Sequence, residues 1–589
     1  METPTIFNLS PEIIQKMSIE ELNVLATQIR AYLIDTISKT GGHIGANLGV
    51  IELTIAVHKV FNSPDDKVIF DVGHQGYTHK IISGRAEKFS TLNQYDGMSR
   101  FITRAESIHD SIDASHAGTS LSMACGFAYS NARKKIDNHV IAVIGDGSLV
   151  EGLAFEGLNF IPEIKTKLII VLNDNGMAIA PNVGGVKNLT SGPDSFVKSR
   201  AFFEGLGLNY LSVADGHDIS ELVAKMTTAK QQNTPTLVHV KTKKGKGLPS
   251  ADSHPYKMHF SMPFNPDGGS SSPTIPGETY STIVARDLRS YLNKDKDIVV
   301  LTPATPYASS LDDLIDEFPD SVIDVGMAEQ HAVVMASGMA LSGLKPIVCI
   351  QTTFMQRAFD QLLHDVCFME LPVTVLGVRS GFAGFDSPTH HGLYDIPYLR
   401  SLPNMQICFP VNSQDISDIM SRRMSNPMGP MVILLPYENI PEHEVLEIIE
   451  DNDSIRLVSA GEDGIIFCLG NQLNQASELK KKILKESGEL FSIACVRNIK
   501  PLDGKKIIDL CSSQEKIITM EESTLPGGFG SAISEVLIDN NAPKSVLRIG
   551  ITDMFMPAGD KLYLNKLAKL DVDSVYAQVI QRWSSLKAQ

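Results

Sequence analysis

Two short apolar runs, each followed by small polar residues, constrain this fold more than any other feature of the sequence. Val140–Ile144 leads into Gly-Asp-Gly at 145–147, and Leu168–Leu172 leads into Asn-Asp-Asn at 173–175. Runs of this kind are typical of strands that are buried on both faces of a parallel sheet. The segment between them predicts a helix that packs on the sheet through Leu149, Leu153, Phe155 and Leu158. The sequence therefore predicts a β-α-β unit.

The same alternation of strands and helices continues along the chain, with two breaks. Further strands are expected near 297–301, 322–325, 346–350, 373–378, 465–467 and 517–519. Linkers are expected at 265–279, which is rich in glycine, serine and proline, and at 442–455, which is acidic. We therefore expect an α/β fold of three doubly wound domains, at 1–264, 280–441 and 456–589.

Composition limits the function classes. The net charge of −16 over 589 residues disfavours a nucleic-acid partner. Seven scattered cysteines without a Cys-x-x-Cys pattern suit a reducing cytoplasm, and neither a signal peptide nor a membrane span is expected. The basic run at 241–246 is interpreted as a solvated strand end, with help in binding an anion as the alternative.

Asp146 and Asn175 are the candidate metal ligands. They are 29 residues apart, about one β-α-β crossover, so they should converge at the carboxyl ends of neighbouring strands. Their side-chain oxygens and the carbonyl of Met177 suit Mg²⁺, and Gly145 and Gly147 let the backbone approach a diphosphate. The alternative is that each triplet merely ends a strand, but their combination favours a metal-diphosphate site.

Glu329 opens a predicted helix just after the strand at 322–325. Thiamine diphosphate needs a carboxyl group at N1′ of its aminopyrimidine, and Glu329 is the candidate for that contact. Phe354 is the candidate for stacking on the pyrimidine. The alternatives are a glutamate stabilised by its helix dipole and an ordinary core aromatic. Together with the metal-diphosphate pattern, these residues indicate a thiamine-diphosphate enzyme.

Many ordered motifs resemble those of 1-deoxy-D-xylulose-5-phosphate synthases, from end to end of the chain. They include Gly42-His43, Asp71-Val72-Gly73-His74-Gln75, His79-Lys80, Glu106-Ser107, His116, Asp215-Gly216-His217-Asp218, Thr242-Lys243-Lys244-Gly245, Ala328-Glu329-Gln330-His331, Gln356-Arg357-Ala358 and Thr389-His390. The resemblance implies a transketolase-like fold with a C-terminal α/β domain. It also implies a transferase that joins pyruvate to glyceraldehyde 3-phosphate with loss of carbon dioxide, feeding isoprenoid and thiamine precursors. The partners would be these small molecules and, in a homodimer, a second copy of the chain.

The resemblance also implies roles for individual residues. Mg²⁺ would be held by Asp146, Asn175 and Met177. The diphosphate end would lie near His74, Ser115, His116, Ala117, Gly118, Gly145, Gly147, Ser148 and Lys244. The pyrimidine would be held by Glu329 and Phe354. Proton transfer or substrate orientation would fall to His43, His259 and His390. The substrate set would be Arg379, Asp386, Gln351 and Arg357.

The chain departs from the family pattern at the acceptor phosphate. Gln351 replaces a tyrosine, and Leu434 stands where the family has arginine in an Arg-x-Pro context. Losing one charge-assisted contact costs about 1.5–3 kcal/mol. The segment between Gly185 and Phe202 is also shorter than in the family, which could leave the acceptor side more open. Two alternatives therefore stay beside the synthase: a carboligase for a different aldehyde, with or without a phosphate group, and a non-catalytic cofactor-binding relative.

Overall fold

The computed structural model describes residues 5–267, 277–440 and 448–583. The chain divides into two compact units, Met1–Pro273 with Val325–Ala328, and Thr274–Asp324 with Glu329–Gln589. Most of the expected linker at 265–279 and the start of the one at 442–455 lie outside the described residues. In the rest of the second linker, Glu450–Asp451 forms a short edge strand. None of the helices in the described ranges is both long and apolar enough to cross a membrane.

In the first unit, the described residues contain a parallel sheet in the order β1-β2-β3-β5-β4. Its strands are β1 Lys67–Phe70, β2 Val140–Gly145, β3 Leu168–Asp174, β4 Asn209–Val213 and β5 Thr236–Lys241. The helices are α1 Pro11–Lys16, α2 Ile19–Thr40, α3 Ile44–Leu48, α4 Ile51–Val60, α5 Tyr77–Lys80, α6 Ser120–Lys134, α7 Gly152–Phe160, α8 Gly184–Thr190, α9 Ser195–Gly205, α10 Ile219–Lys230 and α11 Pro249–Ser253. Short 3₁₀ or π turns lie at Ile6–Asn8, Ile81–Arg85, Ala86–Thr91, Ser148–Val150 and Ile161–Glu163.

Strand β2 shows why the apolar runs are nearly continuous. Ala142 and Ile144 pack into the core on one face of the sheet, and Ile141 and Val143 pack into the core on the other. Both faces are covered, so every position of the strand is apolar. The helix expected after β2 is present as α7. Its buried face holds Ala154, Gly157 and Leu158, whereas Phe155, which we expected on the sheet, is 36% exposed.

In the second unit, β6 Ile298–Thr302, β7 Val322–Asp324, β8 Lys345–Gln351, β9 Thr374–Ser380, β10 Gln406–Cys408 and β11 Met431–Pro436 form one sheet. Its described strands are parallel except for one edge strand from further along the chain. The helices are α12 Tyr280–Lys294, α13 Asp312–Glu317, α14 Glu329–Leu341, α15 Thr352–Met355, α16 Phe359–Gln361, α17 Asp395–Ser401 and α18 Ser413–Ser425. Turns of 3₁₀ or π type lie at Tyr307–Ser309, Gln356–Ala358 and Leu362–Cys367.

The C-terminal domain of the second unit has its own sheet. The strands of this region are β12 Glu450–Asp451, β13 Ile455–Ser459, β14 Gly464–Cys468, β15 Phe491–Val496, β16 Asn498–Lys500, β17 Lys516–Thr524 and β18 Ser545–Ile551, and all of them except β16 belong to that sheet. Strand β16 is the antiparallel edge strand of the preceding sheet, and the others run in the order β12-β13-β15-β14-β17-β18. The helices are α19 Leu473–Ser487, α20 Gly504–Cys511, α21 Phe529–Asp539, α22 Lys561–Leu567 and α23 Val572–Arg582, with a 3₁₀ turn at Gly470–Gln472. The expectation of an α/β fold with largely parallel sheets is confirmed.

A buried ion pair joins α2 to α4 in the first unit. The Glu52 carboxylate accepts hydrogen bonds from Arg30 at 2.5 Å and from His217 at 3.0 Å. Burial alone would raise the pKa of Glu52, but His217 and Arg30 outweigh it and lower that pKa to about 2. The other ring nitrogen of His217 accepts the Lys243 N–H at 2.9 Å. The ion pair therefore anchors the basic segment that follows β5.

All seven cysteines are buried free thiols. One, Cys125, lies in the first unit; the second unit contains Cys349, Cys367, Cys408, Cys468, Cys495 and Cys511. The expectation that the chain has no disulfide framework agrees with these seven thiols.

Candidate active site

Asp146 lies directly after β2, beside the neighbouring strand β3, and is fully buried. Its Oδ2 accepts hydrogen bonds from the Gly176 N–H at 2.8 Å and from Asn182 Nδ2 at 2.7 Å. Its Oδ1 has no hydrogen-bond partner among the described residues. Burial and the nearby Asp174 carboxylate raise the pKa of Asp146 to about 8. A buried carboxylate with one oxygen unused fits a divalent cation.

Only part of the Asn-Asp-Asn triplet at 173–175 is placed to bind a cation together with Asp146. Asp174 is engaged by His239 at 2.7 Å and by Lys241 at 2.5 Å. Asn175 lies in the following turn, where its Oδ1 accepts the Met177 N–H at 3.1 Å. The turn after β3 carries the Asn175 amide oxygen and the Met177 carbonyl, and Asp146 follows the neighbouring strand β2, so the three candidate ligands lie at one edge of the sheet.

Gly147 and Lys244 form the neighbouring part of this edge. A Cβ on Gly147 would lie 2.5 Å from the Cα of Ala178, so only glycine allows the two segments to approach this closely. Lys244 Nζ donates to the carbonyl of Ala178 at 2.6 Å. Burial lowers the pKa of Lys244 to about 7, although Asp146 opposes this effect. A buried amine beside a glycine turn suits an anionic ligand.

Residues 115–118 are positioned by a buried aspartate at the end of β1. The Asp71 carboxylate accepts the N–H groups of Gly118 at 3.0 Å and Ser120 at 3.1 Å, at the start of α6. Burial raises the pKa of Asp71. Gly118 has a φ of +83°, and a Cβ there would lie 2.6 Å from Glu151 Oε2. These contacts fix the backbone that leads from Ser115, His116 and Ala117 into α6. Ser148, the residue after Gly147, is also buried.

Three predicted histidines form one ring cluster in the first unit. The ring centres of His43, His74 and His259 are separated by 5.5, 5.6 and 5.0 Å. Burial and the Lys244 charge lower the pKa of His74 to about 3 and hold that of His259 well below its ordinary value. The rings of His74 and His259 are therefore neutral at neutral pH, and the Nδ1 atom of each lacks a hydrogen-bond partner in the described part of the chain.

In the second unit, Glu329 is the first residue of α14 and is 5% exposed. Phe354 lies in α15 with its ring centre 5.6 Å from that of His390, at an interplanar angle of 85°. The Nδ1 of His390 is hydrogen-bonded to Ser387 Oγ at 2.6 Å. Thr353 donates to the Thr389 carbonyl at 2.6 Å, which ties α15 to the loop that carries His390. The structure brings Phe354 and His390 together.

The predicted substrate residue Arg379 ends β9 with a φ of +62°. Its guanidinium donates to Asp386 at 3.0 Å and lies 4.3 Å above the centre of the Tyr437 ring. Burial alone would lower the pKa of Arg379, but Tyr437 and Asp386 raise it, so the charge is permanent. Its Nε atom is buried without a hydrogen-bond partner among the described residues. The Nε–H donor therefore remains for a ligand.

The other residues of the predicted acceptor set lie around this strand end. Gln351 is the last residue of β8 and is 3% exposed, and Arg357 lies in the turn Gln356–Ala358. Leu434 is fully buried in β11, where its side chain faces Gly377 of β9. The residue of that segment that contacts Arg379 is Tyr437, just after β11.

Two residues of this site were not found from the sequence. Asn182 holds Asp146 from 36 residues away, and nothing in its local pattern indicates that contact. Tyr437 follows the buried run Met431–Pro436, so its place after a parallel strand could have marked it.

The segment between Gly185 and Phe202, which we expected to be shorter than in the family, is largely helical, because it contains most of α8 and the start of α9.

Comparison with protein families assigns each part of the chain. Residues 8–195 and 188–242 match the family described as 1-deoxy-D-xylulose-5-phosphate synthase. Residues 278–442 match the pyrimidine binding domain of transketolase, and residues 453–575 match the transketolase C-terminal domain. The two parts of the first match overlap at 188–195, within the segment between Gly185 and Phe202.

Relatives with the same description cover almost the whole chain. A 1-deoxy-D-xylulose-5-phosphate synthase of Halothermothrix orenii is 38% identical, covering 97% of this chain and 96% of the relative. One from Listeria monocytogenes is 40% identical, covering 93% and 92%. Among solved structures, the transketolase of Campylobacter jejuni covers 96% of this chain and 100% of its own, at 16% identity and a TM-score of 0.45. The chain belongs to the 1-deoxy-D-xylulose-5-phosphate synthase family.

Proposed function

We propose that the chain is a thiamine-diphosphate-dependent transferase that condenses pyruvate with glyceraldehyde 3-phosphate, releasing carbon dioxide and forming 1-deoxy-D-xylulose 5-phosphate. The observation that carries this proposal is the match to relatives of that description over more than nine-tenths of the chain and of each relative. The product would enter isoprenoid and thiamine biosynthesis. The retained Glu329, Asp146 and histidines argue against a non-catalytic relative.

Mg²⁺ and the diphosphate would bind at the edge formed by β2 and β3. Asp146 Oδ1, the Asn175 side chain and the Met177 carbonyl would supply hard oxygen ligands. The unused Asp146 Oδ1 and the raised pKa of that carboxyl support this, because a bound cation would compensate the buried charge. Lys244 and the segment from Ser115 to Gly118 would lie near the diphosphate oxygens, with Gly147 leaving room for them.

Thiamine diphosphate, when bound, supplies the nucleophilic carbon and the electron sink for decarboxylation. The role of Glu329 would be to hold a proton between its carboxyl group and N1′ of the aminopyrimidine. Its position supports this role, since a carboxyl that is 5% exposed at a helix start is shielded from competing water. Phe354 would pack against the pyrimidine ring.

The histidines would orient substrate and move protons. The Nδ1 atoms of His74 and His259 lack a hydrogen-bond partner among the described residues and belong to rings that stay neutral, so each can form one hydrogen bond with a ligand, as donor or acceptor according to its tautomer. His43 lies against both rings. In the second unit, the hydrogen bond between Ser387 and Nδ1 of His390 fixes the orientation of that ring.

Arg379 would bind the acceptor phosphate through its remaining Nε–H. Asp386 holds the guanidinium in place but also screens its charge, and Tyr437 covers one face. Gln351 and Arg357 would complete this end of the site. Because Asp386 partly neutralises Arg379, we expect phosphate to bind more weakly than it would to two arginines. The preference for a phosphorylated aldehyde should remain.

Two further parts of the proposal concern assembly and location. Helix α14 carries apolar residues on its outward side, where Val334 is 43% and Leu341 is 65% exposed; Phe368, next to the adjoining turn, is 79% exposed. Apolar surface of this extent favours a protein interface, and we propose a homodimer. Sedimentation should then give twice the 64.2 kDa mass of the chain. The free buried thiols suit a reducing cytoplasm.

Product identification tests the reaction. Purified protein is incubated with labelled pyruvate, thiamine diphosphate, Mg²⁺ and either glyceraldehyde 3-phosphate or unphosphorylated glyceraldehyde. We expect labelled 1-deoxy-D-xylulose 5-phosphate and a clear preference for the phosphorylated acceptor. Glu329→Gln should lower carbon dioxide release at least about a hundredfold. Glu317→Gln, which changes a 42% exposed carboxylate paired with Arg289, is the matched control and should be neutral. Equal use of both aldehydes, or no release of carbon dioxide, would overturn the proposal.

A further inference from the structure

The loop 379–393 carries the substrate candidates Arg379, Asp386 and His390. It leaves β9 and folds back on itself, with Gly381 and Gly392 exchanging two backbone hydrogen bonds of 2.8 Å. Arg379 and Ser380 still belong to β9, and beyond the glycine pairing residues 381–393 contain no helix or strand. Its shape therefore depends on what packs against it.

Glu522 of the C-terminal domain is one such contact. It lies near the end of β17, and its Oε2 accepts the N–H of Phe382 at 3.1 Å. A Cβ on Gly381 would lie 2.2 Å from the same oxygen, so the loop backbone rests directly on the carboxylate. Glu522 therefore fixes the backbone two to three residues beyond Arg379.

His391 makes a second connection. Its Nδ1 accepts the Ala383 N–H at 2.9 Å, so the ring proton lies on Nε2 and is donated to the Pro557 carbonyl at 2.9 Å. The Gly559 N–H donates to the Gly384 carbonyl at 3.1 Å. The segment around Pro557 thus holds the middle of the loop from the C-terminal domain.

The far end of the loop is held as well. The Leu393 carbonyl accepts the Thr524 N–H at 2.9 Å and the Ser523 hydroxyl at 3.0 Å. Both donors follow Glu522 in β17. One strand end of the C-terminal domain therefore contacts the loop near its beginning and at its end.

Glu522 is itself held by charge. Lys561 approaches its carboxylate at 3.2 Å, and Asn471 donates to it at 3.2 Å. Lys561 also pairs with Glu438, the residue after Tyr437, which covers Arg379. The Lys561 charge therefore supports the acceptor residues through both Glu522 and Glu438. Burial alone would lower the pKa of Lys561, but these two carboxylates raise it, so the amine stays charged.

We propose that the C-terminal domain sets the affinity for the acceptor aldehyde, with Glu522 as the positioning residue and His391 as a second one. The proposal rests on the proposed function, since it takes the loop to bind the aldehyde. Glu522 touches no substrate in this scheme. It acts by holding the backbone that aims Arg379.

Steady-state kinetics of two neighbouring variants separate positioning from general stability. Glu522→Gln keeps the side-chain shape but removes the charge that Lys561 binds. Glu521→Gln is the matched control: Glu521 is also buried in β17, but it accepts the N–H groups of Phe529 and Gly530 within the C-terminal domain. We expect Glu522→Gln to raise KM for glyceraldehyde 3-phosphate about tenfold, with KM for pyruvate and affinity for thiamine diphosphate within twofold of the parent. Glu521→Gln should leave all three unchanged.

His391→Asn is a second variant, which should also raise KM for glyceraldehyde 3-phosphate. It provides the test if Glu522→Gln does not fold. Equal effects of Glu522→Gln and Glu521→Gln, or no change of the acceptor KM in Glu522→Gln and His391→Asn, would overturn the proposal.

Hydrogen exchange tests the positioning role without any turnover. In the substrate-free full-length protein, the amides of 380–393 should exchange at least about tenfold faster in Glu522→Gln than in the parent, and Glu521→Gln should match the parent. Unchanged exchange would refute the positioning role even if the enzyme is a synthase. Faster exchange in a protein that forms no product would instead refute the proposed reaction and leave the positioning intact.

Discussion

Replacing Lys244 by methionine should change the stability of the cofactor-free protein and its affinity for thiamine diphosphate in opposite directions. The pKa of Lys244 is lowered from 10.5 to about 7 by burial. At pH 7 the unfolded chain binds this proton fully, whereas the folded protein binds it only in part. Burial of the amine therefore lowers the free energy of unfolding by on the order of 4 kcal/mol. Lys244→Met removes that cost and also loses the hydrogen bond to the Ala178 carbonyl, worth about 1 kcal/mol. The net expectation is a gain of about 3 kcal/mol.

The cofactor affinity should fall in the same variant. A charge-assisted contact to a diphosphate oxygen is worth about 1.5–3 kcal/mol, so Kd should rise about tenfold to a hundredfold. Calorimetric titration of thiamine diphosphate with Mg²⁺ measures this change, and urea unfolding of the cofactor-free protein measures the stability.

The sign of the pH dependence gives a further check. Because the folded pKa is the lower one, the destabilisation is complete below pH 7 and disappears as the pH rises towards 10.5. The stability difference between Lys244→Met and the parent should therefore shrink from about 3 kcal/mol at pH 7 to about 1 kcal/mol at pH 9. Lys243→Met is the control, since that side chain is 60% exposed and paired with Asp252, and it should change stability by less than about 0.5 kcal/mol. The reasoning is refuted if Lys244→Met is less stable than the parent or binds the cofactor equally well.

Three further substitutions probe the same unit. Asp146→Asn should fold normally but lose Mg²⁺-dependent binding of thiamine diphosphate, as Mg²⁺ titration will show; retained binding would remove Asp146 from the metal site. Glu52→Gln should lower the free energy of unfolding by about 3 kcal/mol at pH 7, because the pKa of Glu52 is lowered from 4.5 to about 2; this difference, followed by urea unfolding, should shrink only as the pH falls through that range. Gly147→Ala should cost about 1–3 kcal/mol, since its Cβ would lie 2.5 Å from the Cα of Ala178. Gly145→Ala, with no atom within 4 Å of its Cβ, is the thermal-unfolding control, and equal melting temperatures would contradict the steric argument.

The strands and the cofactor edge could be predicted because their causes are local. Both faces of β2 are buried, so its apolar run is visible in the sequence, and the polar residues after β2 and β3 must lie at one edge of a parallel sheet. The contacts of Asp146 with Asn182, and of Arg379 with Tyr437, depend on tertiary folding. Nothing in the local pattern around Asn182 indicates its contact, and the position of Tyr437 after a parallel strand marks it as a site candidate without identifying Arg379 as its partner.

The C-terminal region shows a second limit. Its sequence contains no cluster of catalytic residue types, so nothing in it predicts contacts with the substrate candidates. The contact of Glu522 with Phe382 spans 140 residues and uses a backbone N–H, which leaves no trace in side-chain chemistry. Phe155 illustrates the reverse case: its apolar character suggested packing on the sheet, although α7 buries its small residues there instead.

The buried thiols make the protein its own reporter of unfolding. Burial raises the pKa of Cys125 to about 11 and that of Cys349 and Cys511 to about 12, so a folded chain presents almost no thiolate to an alkylating reagent. An alkylating reagent therefore labels these thiols only after the structure around them opens. Since Cys125 lies in the first unit and Cys349 and Cys511 lie in the second, pulsed alkylation followed by peptide mass spectrometry would time the opening of each region separately, without an introduced probe.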